Sequence, residues 1–116
     1  MNIYHCMIEL KDDARALGFA AAVDAWMSYL KARGLIRDWR LMRRKLGLAS
    51  SAFKDFALEV NITSLSALDD TFSVLSHVDA EAEQLYDRMH KMIAEIEVGL
   101  FRGYPDPTQR ERIALI

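Results

Sequence analysis

A chain of 116 residues, 52% hydrophobic and 28% charged, has room for one domain with a hydrophobic core and not for two. Its formal net charge of −2 lacks the basic excess of a general polyanion binder, so no nucleic-acid partner is expected. No apolar run reaches the length of a membrane span and no basic, then apolar, leader opens the chain, so the expectation is a cytoplasmic protein with no membrane partner.

The first element is a strand over Ile3 to Leu10, IYHCMIEL, rich in β-branched and aromatic residues and free of Gly and Pro. Alternation puts Tyr4, Cys6, Ile8 and Leu10 on one apolar face, and Ile3, His5, Met7 and Glu9 on a mixed one. The acidic Asp12 and Asp13 then favour a helix N-terminus, and a helix is expected from about Asp12 to Arg33. Phe19, Val23, Trp26, Met27 and Leu30 form its apolar stripe, and Gly34 stands where a left-handed cap ends it.

Leu35 to Leu46 reads as an edge strand whose basic residues, Arg37, Arg40, Arg43, Arg44 and Lys45, discourage stray pairing. A small-residue connection, Gly47 to Ala52, leads to the clearest alternation in the chain, Phe53 to Ile62. There Phe56, Leu58, Val60 and Ile62 oppose Asp55, Ala57, Glu59 and Asn61. Thr63, Ser64 and Ser66 are candidate N-caps for a helical stripe of Leu65, Leu68, Phe72 and Leu75. That stripe breaks near His77 and restarts at Asp79, with Ala82, Leu85, Tyr86, Met89 and Ile93 on its apolar side. A last strand, Glu95 to Arg102, alternates Ile96, Val98 and Leu100 against Glu97, Gly99 and Phe101. Pro105 and Pro107 prevent its simple extension, which divides the chain into a domain of residues 1–104 and a tail of 105–116.

The order β, α, β, β, α, β with right-handed crossovers gives a ferredoxin-like α+β sandwich, sheet order fourth, first, third, second strand, with helices on one face. The other face carries Met7, Ala57, Phe101 and Met42 among polar residues, and covering it needs a second copy. The segments IYHCMIELK, SLSALDDTFSVL, LYDRMHKMI and VGLFRGYPD, over residues 2 to about 106, resemble the dimeric α+β barrel superfamily, which includes stress-responsive barrel proteins and antibiotic-biosynthesis monooxygenases. That resemblance implies a homodimer of two sheets packed face to face into a barrel, with a cleft or lumen between sheet and helices in members that act on ligands.

The mixed face holds the groups with chemistry. A carboxylate opposite His5, from Glu59 or Glu97, would orient its imidazole, making His5 and Glu59 the candidate catalytic residues and equally a satisfied structural pair. Packing Glu9, Asp55, Glu59 and Glu97 together requires counter-charge, for which Arg40 and Arg44 are the candidates. The expected ligand site is thus a hydrated cavity among His5, Trp39, Arg40, Glu59 and Phe101, or the same ion-pair network with no ligand. His77 reads as a loop residue, His90 as a boundary residue, and Trp26 and Trp39 as core aromatics that could also flank a flat ligand.

Adjacent His5 and Cys6 point to opposite faces and cannot share an ion, and no other ligand spacing occurs, so no metal is expected. The lone cysteine also excludes an internal disulfide. No nucleophile elbow, phosphate loop or dinucleotide fingerprint is present, and no cofactor is expected. Two functional classes remain: a homodimeric barrel that binds a small, partly apolar molecule or simply serves as a stress or scaffold protein, and a cofactor-independent monooxygenase-like or isomerase-like enzyme using a barrel pocket.

Overall fold

At the centre of the sheet lies strand β1 (Asn2–Leu10), paired antiparallel with β3 (Phe56–Ile62) on one side and β4 (Ile93–Arg102) on the other. Strand β2 (Asp38–Arg43) adds outside β3, giving the order β2-β3-β1-β4 expected of a ferredoxin-like α+β fold. This computed structural model describes residues 2–45, 48, 50, 52–64, 66, 67, 69, 70, 73 and 80–105. The helices are α1 (Ala16–Ala32) and α2 (Ala80–His90). Ser66, Ala67, Asp69, Asp70 and Ser73 are also helical, whereas the apolar positions expected for that stretch, Leu65, Leu68, Phe72 and Leu75, lie outside the described residues, as do His77, Asp79 and the tail beyond 105.

The core forms between α1 and the inner sheet face. Phe19, Ala22, Val23, Trp26, Met27 and Leu30 are all buried, at the helical spacing that one stripe requires. They meet Cys6 and Ile8 of β1 and Phe56, Leu58, Val60 and Ile62 of β3, all buried. From α2 come Ala82 and Met89, with Leu85 and Tyr86 packed at the margin.

Several boundaries differ from the sequence expectation. Helix α1 begins at Ala16, because Lys11 to Asp13 form a turn closed by the Ala14 N–H donating to the Lys11 carbonyl (3.0 Å); the two aspartates lie before the helix and leave its first turn without acid. Its end is as expected: Gly34 has φ 72°, the left-handed conformation that costs glycine least, and its N–H donates to the Lys31 carbonyl (3.0 Å). Strand β2 is only six residues, and Ile36 before it is buried core. Phe53 lies outside β3 and is exposed, while Ile93 opens β4 and does not belong to α2. Of the three candidate caps, Ser64 is in place, its Oγ accepting from the Ala67 N–H at 3.1 Å.

The largest departure is at β4. Ile96, Val98 and Leu100 point to the helix side, opposite Ile8, Cys6 and Tyr4, yet they are 41%, 55% and 45% exposed. Among the described residues, the helices roof β2, β3 and β1 and leave the inner face of this edge strand open.

Candidate functional site

Register fixes which side chains share the outer face. Arg40, Glu59, His5 and Gly99 lie in one row across the sheet, followed by Met42, Ala57, Met7 and Glu97. In the row on the other side are Asp38, Asn61, Ile3 and Phe101. The outer face therefore brings together His5, Arg40, Glu59 and Phe101, and carries Met7, Met42, Ala57 and Phe101 as its apolar component.

The chemistry expected of His5 is not what forms. Glu59 stands directly opposite His5, but its carboxylate accepts a charge-assisted bond from Arg40 Nε at 2.5 Å. Glu97 is opposite Met7, and it is Gly99 that faces His5 on β4. The absence of a side chain there lets the Phe101 ring fold back over Gly99, within 3.2 Å of where a Cβ would stand, and meet the His5 imidazole edge-on at 6.0 Å. His5 is held by an aromatic contact in place of the expected carboxylate.

Trp39 also departs from the expected site. Its strand partner is Val60, so its side chain belongs to the opposite face from Arg40 and packs against the core; it borders the hollow formed by Ile3, Asp38, Arg40, Glu59 and Asn61 from the strand edge. Arg44 pairs with Asp55 (3.9 Å) and donates to the Phe53 carbonyl (3.2 Å), not to Glu59. The acidic group Glu9, Glu95 and Glu97 is instead relieved by Lys54, whose Nζ donates to Glu95 at 3.0 Å. That bond, followed by the neighbouring carboxylates, holds the Lys54 ammonium above its usual range against the opposing effect of burial. Sequence reading overlooked Lys54 because it stands just before β3, where alternation gives no orientation.

A second space lies on the other side of the sheet. Between the inner face and the helices is a cavity of about 370 Å³. Its floor is Tyr4, Cys6 and Ile8 of β1 with Leu58, Val60 and Ile62 of β3; its roof is Trp26, Met27 and Leu30 of α1 with Tyr86, Met89 and His90 of α2. Ile96 and Val98, the residues left open on β4, form its side. Such a volume, walled by apolar groups with a few polar ones, is typical of small-molecule sites.

The polar groups of this cavity are few and specific. Burial pushes the Cys6 thiol up to about 12, so it stays protonated and unreactive. The Tyr4 phenol is also raised, first by burial and then by Cys6 and Tyr86. Tyr86 stacks on His90 (5.0 Å between centroids, 23°) and meets Trp26 edge-on (5.9 Å), so α1 and α2 hold an aromatic wall along the cavity. Strand alternation had already placed Tyr4 and Cys6 on this face. Trp26, Tyr86 and His90 carried no separate signal, because core and cavity lining share one helical spacing. Among the described residues no group of three or more His, Cys, Asp or Glu side chains could hold a metal ion. None of their helices is long and apolar enough to cross a membrane.

The profile of a family described as a family of unknown function (DUF6614) matches residues 1–116. No curated protein sequence matches the chain. Among solved structures, the fold is similar to hydroxynitrile lyase from Passiflora edulis, with TM-score 0.69 and 11% identity over 91% of this chain and 96% of that one. It is similar to SnoaB, a cofactor-independent oxygenase from Streptomyces nogalater, with TM-score 0.67 and 8% identity over 93% and 97%. A dimeric ferredoxin-like protein of unknown function from Jannaschia sp. CCS1 has TM-score 0.65 and 15% identity over 89% and 100%. At these identities the likeness is one of fold.

Proposed function

We propose, for a chain that belongs to the DUF6614 family of unknown function, that it acts as a homodimer whose protomers each bind a small, mostly apolar molecule in the cavity between sheet and helices. The cavity carries this reading: about 370 Å³ walled by aliphatic and aromatic side chains, with Tyr4, Tyr86 and His90 as its orienting polar groups. The homodimer is supported by the outer face, where Phe101 is 60% and Met42 37% exposed in the isolated protomer, and by dimeric neighbours of the same fold. In this reading the Arg40–Glu59 pair and the His5–Phe101 contact line a hydrated space between the two sheets and serve packing, and the ligand sits on the other side. The expected place of work is the cytoplasm.

A second reading keeps the cavity and adds chemistry. Tyr4, Tyr86 and His90 set phenol and imidazole groups beside an apolar space, and proteins of similar fold include a cofactor-independent oxygenase and a hydroxynitrile lyase. The substrate would then be an apolar molecule with one acidic proton.

Native mass spectrometry of the purified protein, with and without a panel of small apolar compounds, tests the proposal. The expected result is a dimer that retains up to one compound per protomer. A monomer at micromolar concentration overturns the assembly, and a dimer that retains nothing overturns the cavity as a binding site.

A further inference from the structure

We infer that the tail beyond Pro105, outside the described residues, returns along the free edge of β4 as an added antiparallel strand. Its Ile113 and Leu115 would cover the inner face of β4, and its Arg110 and Arg112 would meet the glutamates of the outer face. Whether the cavity holds a ligand has no bearing on this placement.

Strand β4 is an edge without the usual defences. Among the described residues its one neighbour is β1, so the backbone groups on its other edge have no strand to meet. Ile96, Val98 and Leu100 on its inner face and Phe101 on its outer face are all exposed. The opposite edge strand, β2, carries Arg40 and Arg43, whereas β4 has neither Lys nor Pro and a single arginine at its end, Arg102. Long apolar edge strands are templates for pairing, and folds cover them. On the outer face Glu9 and Glu95 stand opposite each other with Glu97 next along, and Lys54, bonded to Glu95, is the one cation that the described residues bring to this group. Whatever covers the edge must bring apolar side chains to one face and positive charge to the other.

The run RERIALI, from Arg110, meets that requirement by parity. In a strand Glu111, Ile113 and Leu115 share one face, and Arg110, Arg112 and Ala114 the other. Opposed residues of an antiparallel pair point to the same side of the sheet. Any register that sets Ile113 beside Ile96 or Val98 therefore sets Arg112 on the side of Glu95 and Glu97. The reach suffices: Val98 lies four steps back from Arg102, about 13 Å at ~3.3 Å per step, and ten residues separate Arg102 from Ile113. The connection, GYPDPT, is made of turn-forming residues. Two other occupants fit this edge less well. A tethered segment meets its own edge at millimolar effective concentration, well above that of a second copy, and the Arg40 and Arg44 that a second copy would bring are already paired with Glu59 and Asp55. Residues 63–79 hold Asp69, Asp70 and Asp79 and neither Lys nor Arg, so they bring no such counter-charge to the glutamates. Because Ile96 and Val98 also line the cavity, the added strand extends its wall on that side.

Methyl NMR and hydrogen exchange on the intact protein test this placement. Nuclear Overhauser contacts are expected from the Ile113 and Leu115 methyls to those of Ile96 and Val98. In a sample mixing labelled and unlabelled chains, spectra filtered for contacts between chains should not contain them. The β4 amides that point away from β1 should exchange slowly. Arg112→Glu should speed that exchange about fivefold, the size of one exposed ion pair, and Glu97→Arg in the same chain should restore it. Ile113→Asp should abolish the protection and leave the α1 signals unchanged. Fast exchange along this edge with no such contacts overturns the inference. Contacts seen only between chains overturn it in favour of a second copy, and contacts from Leu68 and Phe72 in place of Ile113 and Leu115 overturn it in favour of the segment after β3. Exchange unmoved by Arg112→Glu overturns the charge pairing.

Discussion

Cys6 supplies the chain's only thiol and lies between sheet and helices at 3% exposure, where burial raises its pKa from 9.0 to about 12. A group that holds its proton more tightly when folded stabilises the fold fully below the unfolded pKa, and that contribution is lost as pH climbs toward the folded value. Tyr4 and Lys54 are raised in the same direction, so the protein should lose stability on the alkaline side, beginning near pH 9. Chemical denaturation across that range is expected to show a falling midpoint, with a shallower fall in Cys6→Ala; a flat alkaline limb in the parent would contradict it. The same burial should make Cys6 unreactive toward thiol reagents until the protein is unfolded. On the outer face, a methyl at position 99 would meet the Phe101 ring at 3.2 Å. Gly99→Ala should therefore displace that ring from His5, seen as a shift of the His5 ring resonances in proton NMR.

The elements owe their limits to single residues. Gly34 adopts φ 72° at the end of α1, and alanine there should cost about 1 kcal/mol in urea unfolding. Ser64→Ala, which removes the acceptor for the Ala67 N–H, should cost a similar ~1 kcal/mol. The Arg40–Glu59 bond, with the arginine 69% exposed, should contribute no more than about 1 kcal/mol when either partner is replaced. These were the features most legible in sequence: the alternation of β3, the stripe of α1, the glycine stop and the serine cap are local patterns, written within a few residues. Arg40 was one of the two cations expected to meet Glu59, and the strand register selects it over Arg44. Lys54 was overlooked and Trp39 misplaced for one reason. Their orientation depends on where β3 and β2 begin, and no residue nearby fixes those starts.

At the scale of the molecule, strand order and outer face followed from the order of elements, whereas the cavity did not. Its existence depends on how far the helices roof the sheet, and the exposure of the inner side of β4 is a long-range outcome that periodicity cannot encode. The outer face gives the assembly its own test. Phe101 is exposed in the protomer, so if this face pairs two copies as proposed, Phe101→Asp should leave the fold intact and dissociate them, because an unpaired charge buried between sheets is strongly unfavourable. Sedimentation velocity should show a folded monomer, and an unchanged dimer would place the interface elsewhere.

The cavity as a binding site is tested most directly through Trp26, which lines it, in a chain with only two tryptophans. In the Trp39→Phe protein all indole emission comes from Trp26, and bromine quenches an indole only on contact. Titration with an ω-brominated dodecanoate and with bromonaphthalene should give saturable quenching by one or both, reversed by the unbrominated parent compound. Quenching by neither probe beyond the linear collisional response of free tryptophan would contradict the account.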